Sequence, residues 1–159
     1  MYRLRHFSNL DTPHLVDVWK SQPALRGIAN PIRAWDFEQL VLSRQYFDRA
    51  GLIVAQRDGE IVGFAHGGFG PDEANQEVDT SWGVTAMLMV RPEEHGSSLG
   101  AELLAASEEY LRGRGAKVLY AGCVRPLNPF YQGLYGGSEM PGTLESDTFR
   151  LELYRNYGY

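Results

Sequence analysis

Apolar and polar positions change period several times along this chain, and each change marks an element. Tyr2 to Phe7 reads as a short strand. Thr12-Pro13 then opens a helix, with Thr12 as N-cap and Pro13 in the first turn, where a missing N–H costs nothing. Leu15, Val18 and Trp19 give that helix one apolar face. Pro23, Gly27 and Pro31 make Gln22 to Ala34 a connection. A second helix is expected from Asp36, three residues before Gln39 in capping-box spacing, with Phe37, Leu40 and Val41 at helical intervals.

From GLIVAQ onward the residues are apolar and β-branched, and EIVGFAH follows after Arg57-Asp58-Gly59. Asp58-Gly59 favours positive φ at both turn positions, so a hairpin is expected. Gly70 to Thr80 is acidic and polar and reads as a surface loop. Val84 to Val90 is apolar on both faces, the pattern of a central strand. Leu99 to Arg112 is the strongest helix, lined by Leu99, Leu103, Ala106 and Tyr110 and stopped by Gly113 and Gly115. Lys117 to Ala121 is a further strand. Asn128 to Glu145 is rich in glycine and aromatics, leaving a packed structural loop and a substrate-facing loop both open. Asp147 can cap a last helix carrying Phe149, Leu153, Tyr154 and Tyr157. This order describes one mixed α/β domain over residues 1–159, partly antiparallel because of the hairpin.

Composition narrows the function. The 159 residues carry a net charge of −5, and the basic residues are scattered without a run. Nucleic-acid binding and attachment to an anionic membrane are therefore not expected. One cysteine, Cys123, excludes an internal disulfide framework and a cysteine-based zinc site. No apolar run approaches the ~20 residues of a membrane span and no signal peptide is visible, so a cytoplasmic protein is the default expectation.

The most informative segment is VTAMLMVRPEEHGSSLGAELL. A strand leaves through Arg91-Pro92 into small residues, and the long helix begins there. Small side chains let a ligand approach bare backbone N–H groups, and the helix N-terminus adds a partial positive charge of about half a unit. That combination can cradle a pyrophosphate. No Lys-Ser/Thr pair follows, so it is not a Walker loop, and G-x-G-x-x-G is absent. Read without a ligand, the same residues form an ordinary strand–turn–helix connection.

Strand, V-x-P, small-residue turn and Leu-rich helix resemble the acetyl-CoA motif of the GNAT superfamily of N-acetyltransferases. The family turn, R/Q-x-x-G-x-G/A, falls on His95, Gly96, Ser97, Ser98, Leu99 and Gly100, with Ala101 next; His95 replaces Arg or Gln, and Ser98 a Gly or Ala. The element order also follows the family over nearly the whole chain. The C-terminal LYRNYGY resembles its L-Y-x-x-x-G-F signature, placing Tyr154 on the tyrosine that protonates the departing thiolate, with Asp147 seven residues earlier where Asn is usual. A competing alignment uses Val124 and Asn128, starts the last helix at Asn128-Pro129 and makes Tyr135 the acid. Three glycines (Gly133, Gly136 and Gly137) weaken such a helix, which favours Tyr154.

The resemblance implies a GNAT-like acyl-CoA acyltransferase fold with a mostly antiparallel sheet, and acetyl-CoA as co-substrate. It implies acetyl transfer to an amine of a small molecule or peptide by direct attack in a ternary complex. By position, Leu88, Met89 and Val90 form the cofactor-facing end of the strand, with the Leu88 N–H on the acetyl carbonyl and the Val90 backbone on the pantetheine arm. Family strands carry a bulge there. His66 is the nearest titratable side chain for a base, with Glu77 and Asp79 weaker; a water chain is the alternative. Met87, Trp19, Trp35 and Trp82 read as core or rim residues. A non-catalytic acyl-CoA-binding or structural module of a larger protein is the competing class. The last strands of the family are not seen before Tyr159, so 117–121 is expected to have an open edge. A neighbouring subunit in a homodimer, or residues of a longer chain, would cover it. Folding back of 128–145 is disfavoured by its Gly and Pro content.

Overall fold

The computed structural model describes residues 1–159 apart from Pro126, Asn128, Met140 and the side chain of Pro141. Strand β1 (Arg3–His6) is followed by α1 (Thr12–Lys20), α2 (Ala34–Phe37), β2 (Leu52–Arg57), β3 (Glu60–Pro71), β4 (Val78–Val90), α3 (Leu99–Gly113), β5 (Val118–Ala121), β6 (Cys123–Val124), β7 (Pro141–Gly142) and α4 (Thr148–Asn156). The main sheet runs β1-β2-β3-β4-β5; its first four strands are antiparallel, and β5 lies parallel to β4. This is the mixed, mostly antiparallel α/β fold expected from the sequence. Asp58 and Gly59 adopt φ of 53° and 86°, the twist that a two-residue hairpin between β2 and β3 requires.

Four boundaries differ from the sequence reading. Thr12 is the first helical residue of α1 rather than its cap, and Asp11 stands in the cap position. Asp11 is held by both Arg5 Nη atoms at 2.7 Å and by the Ser8 N–H. Asp36 is the third residue of α2, where its carboxylate accepts from the Arg33 N–H at 2.8 Å; it caps from inside the turn. A π-helical stretch, Glu38–Leu42, continues α2. The polar segment after Gly70 is mostly strand. Cross-strand bonding carries β3 to Pro71 and restarts β4 at Val78, so only 72–77 remains as a turn.

The sheet separates two cores. On one face, α1 and α2 pack with Phe130, Tyr131, Leu134 and Tyr135 over Phe64, Met87 and Met89. On the other, α3 and α4 pack over Ala65, Leu88 and Val90. Trp19 is buried and stacks on Tyr131, whereas Trp35 and Trp82 are exposed. The glycine-rich stretch is thus a packed wall of the first core. Its backbone bonds Ala29 through Leu134 and Gly27 through Gly136. It also folds back as β7, but onto β6, not onto β5. Among the described residues β5 pairs only with β4. The groove along its other edge is lined by Lys117–Ala121, Glu108, Arg112 and residues 157–159, just past α4. α3 ends in a Schellman motif, with Gly115 at φ 105° and the Ala116 N–H on the Leu111 carbonyl.

Candidate active site

The site grows from one irregularity in β4. His66 pairs with Met87 and Gly67 with Thr85, so Ala86 is an extra residue, a β-bulge. Beyond it the Arg91 N–H bonds the Val62 carbonyl, which sets the phase of the ladder. Met87 and Met89 therefore bond β3, while Leu88 and Val90 turn their N–H and C=O groups away from it. On that side β5 has already left: its last partner on β4 is Thr85, to which Gly122 also bonds. The backbone of Leu88 and Val90 thus faces the gap between diverging strands.

Side chains missed in the sequence line this gap. Arg150, buried on α4, donates Nε–H to the Leu88 carbonyl and pairs through Nη1 with Asp147. Gln22, just past α1, donates to the Val90 carbonyl at 2.9 Å. The carboxylate of Asp147 also caps α4 through the Arg150 N–H. The spacing Asp147-x-x-Arg150-x-x-x-Tyr154 was the available signal, since it sets the cap, Arg150 and Tyr154 along one stripe of the helix.

The small-residue turn lies beyond the end of β4. Gly96, Ser97 and Ser98 are exposed. Ser97 Oγ accepts from the Leu99 N–H, and Ser98 Oγ donates to Glu102 Oε1 at 2.6 Å. The N–H groups of Gly100 and Ala101 find no acceptor among the described residues. Glu94 does not oppose an anion there, because it is buried against Arg57 and the Tyr2 hydroxyl. His95 stacks on Phe149 with ring centroids 4.0 Å apart, and burial lowers its pKa, so the ring is neutral. Gly100 is not open. A Cβ there would lie 3.3 Å from Leu153 and from Phe149, whereas a Cβ at Gly96 would meet nothing within 4 Å among the described residues. The cradle is therefore free at Gly96 to Ser98 and closed by α4 at Gly100.

Both tyrosines named from the sequence are buried, on opposite cores. Tyr154 shares a buried cluster with Leu88, Val90 and Leu99, and its hydroxyl has no partner among the described residues. Burial raises its pKa, and the Arg150 charge works against that rise. Tyr135 lies in the other core. Its hydroxyl donates to Asp147 Oδ2 at 2.9 Å and accepts from the Leu144 N–H at 3.0 Å. Burial raises its pKa as well. Residues 129–137 form turns rather than a helix; Asn128, the start of the competing alignment, lies outside the described residues.

His66 is fully buried among Phe47, Phe130 and Tyr131, with Nδ1 3.0 Å from the Tyr131 hydroxyl. Burial lowers its pKa to about 3, so it is neutral. Asp79 is engaged by the Ser81 N–H and hydroxyl, and its partner on β3, Gly70, lies five positions from Ala65, the partner of Leu88, so the two are about 17 Å apart along the sheet. Cys123 is buried and donates Sγ–H to the Ala86 carbonyl, consistent with a packing role. Among the described residues no cluster could hold a metal, and no helix is long and apolar enough to cross a membrane.

Comparison with known proteins gives three kinds of match. A family model described as acetyltransferase (GNAT) family matches residues 16–136, a span that includes Tyr135 and stops before Tyr154. A mycothiol acetyltransferase of Stackebrandtia nassauensis is 40% identical over 72 residues, covering 44% of this chain and 22% of that enzyme. The match thus spans about a fifth of that curated relative. Among solved structures, a glucosamine N-acetyltransferase region of a fungal multi-domain β-N-acetylglucosaminidase superposes with a TM-score of 0.71 at 22% identity, over 99% of this chain and 17% of that one. A GNAT family acetyltransferase from Brucella melitensis in complex with acetyl-CoA superposes with a TM-score of 0.61 at 16% identity, over 79% of each chain. At these identities the two structures establish a shared fold.

Proposed function

The chain belongs to the GNAT acetyltransferase family, and on that premise we propose that it transfers an acetyl group from acetyl-CoA to an amine by direct attack in a ternary complex. The observation that carries this reading is the bulge at Ala86. It turns the Leu88 and Val90 backbone toward a gap that ends at the exposed turn Gly96–Ser98 before α3. A group with a carbonyl, an amide-bearing arm and a pyrophosphate fits that succession of features.

Acetyl-CoA, when bound, supplies an activated acetyl thioester. The Leu88 N–H is the donor for the acetyl carbonyl, a fixed backbone dipole aimed where negative charge develops. Val90 holds the arm through its backbone, beside Met89, which fills the core behind the strand. His95, Gly96, Ser97, Ser98, Leu99, Gly100 and Ala101 form the pyrophosphate turn, with free N–H groups and the helix dipole as its binding elements. Tyr154 is the general acid. Its hydroxyl is unpartnered among the described residues, and burial keeps it protonated at neutral pH. Tyr135 is ill suited to that role although the family match covers it, because its proton already bonds Asp147. His66 is a poor base at neutral pH, since its environment resists protonation. The surplus proton of the amine leaves through water. The acidic balance of the chain favours a cationic acceptor of small-molecule or peptide type.

A second reading has its own support. Arg150 on Leu88, and Phe149 with Leu153 on Gly100, draw α4 close to β4 and α3, as befits an acyl-CoA-binding module without turnover. Thermal shift with CoA, followed by thiol release from acetyl-CoA across an amine panel, separates the readings. Stabilisation with thiol release supports the enzyme. Stabilisation with no release from any amine supports the module, and no stabilisation removes both.

A further inference from the structure

We infer that Arg150 is a second catalytic donor, which with Tyr154 receives the negative charge on the departing sulfur of acetyl-CoA. The inference rests on the acetyl-transfer reading above. It starts from two buried polar atoms without partners among the described residues, Arg150 Nη2 and the Tyr154 hydroxyl.

Arg150 is only 3% exposed, which is costly for a cation unless its donors are engaged. Two of them are. Nε–H meets the Leu88 carbonyl and Nη1 meets Asp147. The guanidinium also lies 5.8 Å from the centre of the Tyr135 ring. These contacts fix its plane. In the rigid fork of a guanidinium, Nη2–H projects beside Nε–H, so the free donor points along the edge that meets β4. Tyr154 lies four residues further along α4, on the same face, and is buried in the same apolar cluster as Leu88. Asp147 is in turn anchored by Tyr135 at 2.9 Å, so the donor pair rests on a built support.

In the reaction the amine lone pair forms the C–N bond, and the C–S bond breaks with its electron pair going to sulfur. Sulfur takes the Tyr154 proton. The proton lost by the amine returns through water to the tyrosinate, so the step neither consumes nor leaves an excess of protons. Two groups then have to tolerate transient negative charge, sulfur before protonation and Tyr154 after it. A fixed guanidinium beside both lowers the cost of each state. The direction in which the Arg150 charge moves the Tyr154 pKa, downward, agrees with this.

The test reads the bound thiol directly. CoA is titrated with pH in complex with wild type, Arg150→Gln and Arg150→Lys, and thiolate absorbance is followed against the matching desulfo-CoA complex, which cancels tyrosine ionisation. Calorimetry confirms that CoA is bound. The expected result is a thiol midpoint at least one pH unit below that of free CoA in wild type, lost in Arg150→Gln and largely kept in Arg150→Lys. Turnover should follow, with kcat falling at least 10-fold in Arg150→Gln, recovering in part in Arg150→Lys, and KM for acetyl-CoA changing less. Bound CoA whose thiol titrates as in free solution in wild type overturns the inference, even if both variants fail to fold. An unchanged midpoint in a folded Arg150→Gln does the same. Absence of CoA binding to wild type overturns the acetyl-transfer reading itself, and this inference with it.

Discussion

The Tyr135 hydroxyl donates to Asp147 Oδ2 at 2.9 Å, joining the glycine-rich wall of one core to the cap of the helix that covers the other. Asp147 is 1% exposed and neutralises Arg150, so this bond helps a buried ion pair to stay in place. Tyr135→Phe is expected to cost about 1.5–3 kcal/mol of folding stability, the range for a hydrogen bond to a charged group. Urea denaturation at pH 7 measures it. Removing the carboxylate with Asp147→Ala leaves Arg150 uncompensated and is expected to cost more, about 3–5 kcal/mol.

Tyr154→Phe tests the other tyrosine. Its hydroxyl has no hydrogen-bond partner among the described residues, so the substitution should leave stability nearly unchanged. If Tyr154 delivers the proton, kcat falls by about 10²–10⁴-fold while KM for acetyl-CoA moves little. Steady-state kinetics on both tyrosine variants decides between them. A fall in kcat of that size confined to Tyr135→Phe would return the acid to the alignment through Asn128.

His66 predicts a pH dependence of stability. Its folded pKa is near 3, against an ordinary value of 6.5. Above pH 6.5 it is neutral in both states and contributes no slope. Below that, the unfolded chain takes up a proton that the folded protein refuses, so stability falls as pH drops from about 6.5 toward 3. The loss at pH 5 is expected to be about 2 kcal/mol. Wild type and His66→Gln compared by denaturation at pH 5 and pH 7 isolate this contribution. Equal losses in the two proteins would show that His66 protonates without cost.

The legible parts of the chain were those encoded locally. Asp58-Gly59 fixes a hairpin through two positive φ values, and Leu99 to Arg112 reads as a helix from its apolar face and its glycine stop, which the structure extends by one residue to Gly113. The turn from His95 to Ala101 was legible as a run of small residues between a strand and a Leu-rich helix, a pattern that an ordinary connection shares. What stayed hidden depends on long-range pairing. The polar residues 78–81 join β4 because β3 bonds part of that stretch, which overrides their weak strand pattern. The place of Arg150 on the Leu88 carbonyl depends on β5 having left β4, which the spacing on α4 alone does not encode. Tyr131 meets His66 across 65 positions of sequence, a contact that no local period encodes.

Two glycines of the same turn should behave in opposite ways. Among the described residues no atom lies within 4 Å of a Cβ built on Gly96, so Gly96→Val fits the free protein and should leave its melting temperature within about a degree or two. The same side chain would stand over the exposed cradle, where a pyrophosphate needs bare backbone. CoA affinity is therefore expected to fall at least 10-fold, about 1.4 kcal/mol. Gly100→Val instead drives methyl groups toward Leu153 and Phe149, already 3.3 Å from the first added carbon. Overpacking of that kind costs about 1–3 kcal/mol, paid by separating α4 from α3, so its melting temperature should drop. Calorimetry with CoA and thermal denaturation of both variants check the contrast. Unchanged CoA affinity in a folded Gly96→Val protein would place the pyrophosphate away from this turn.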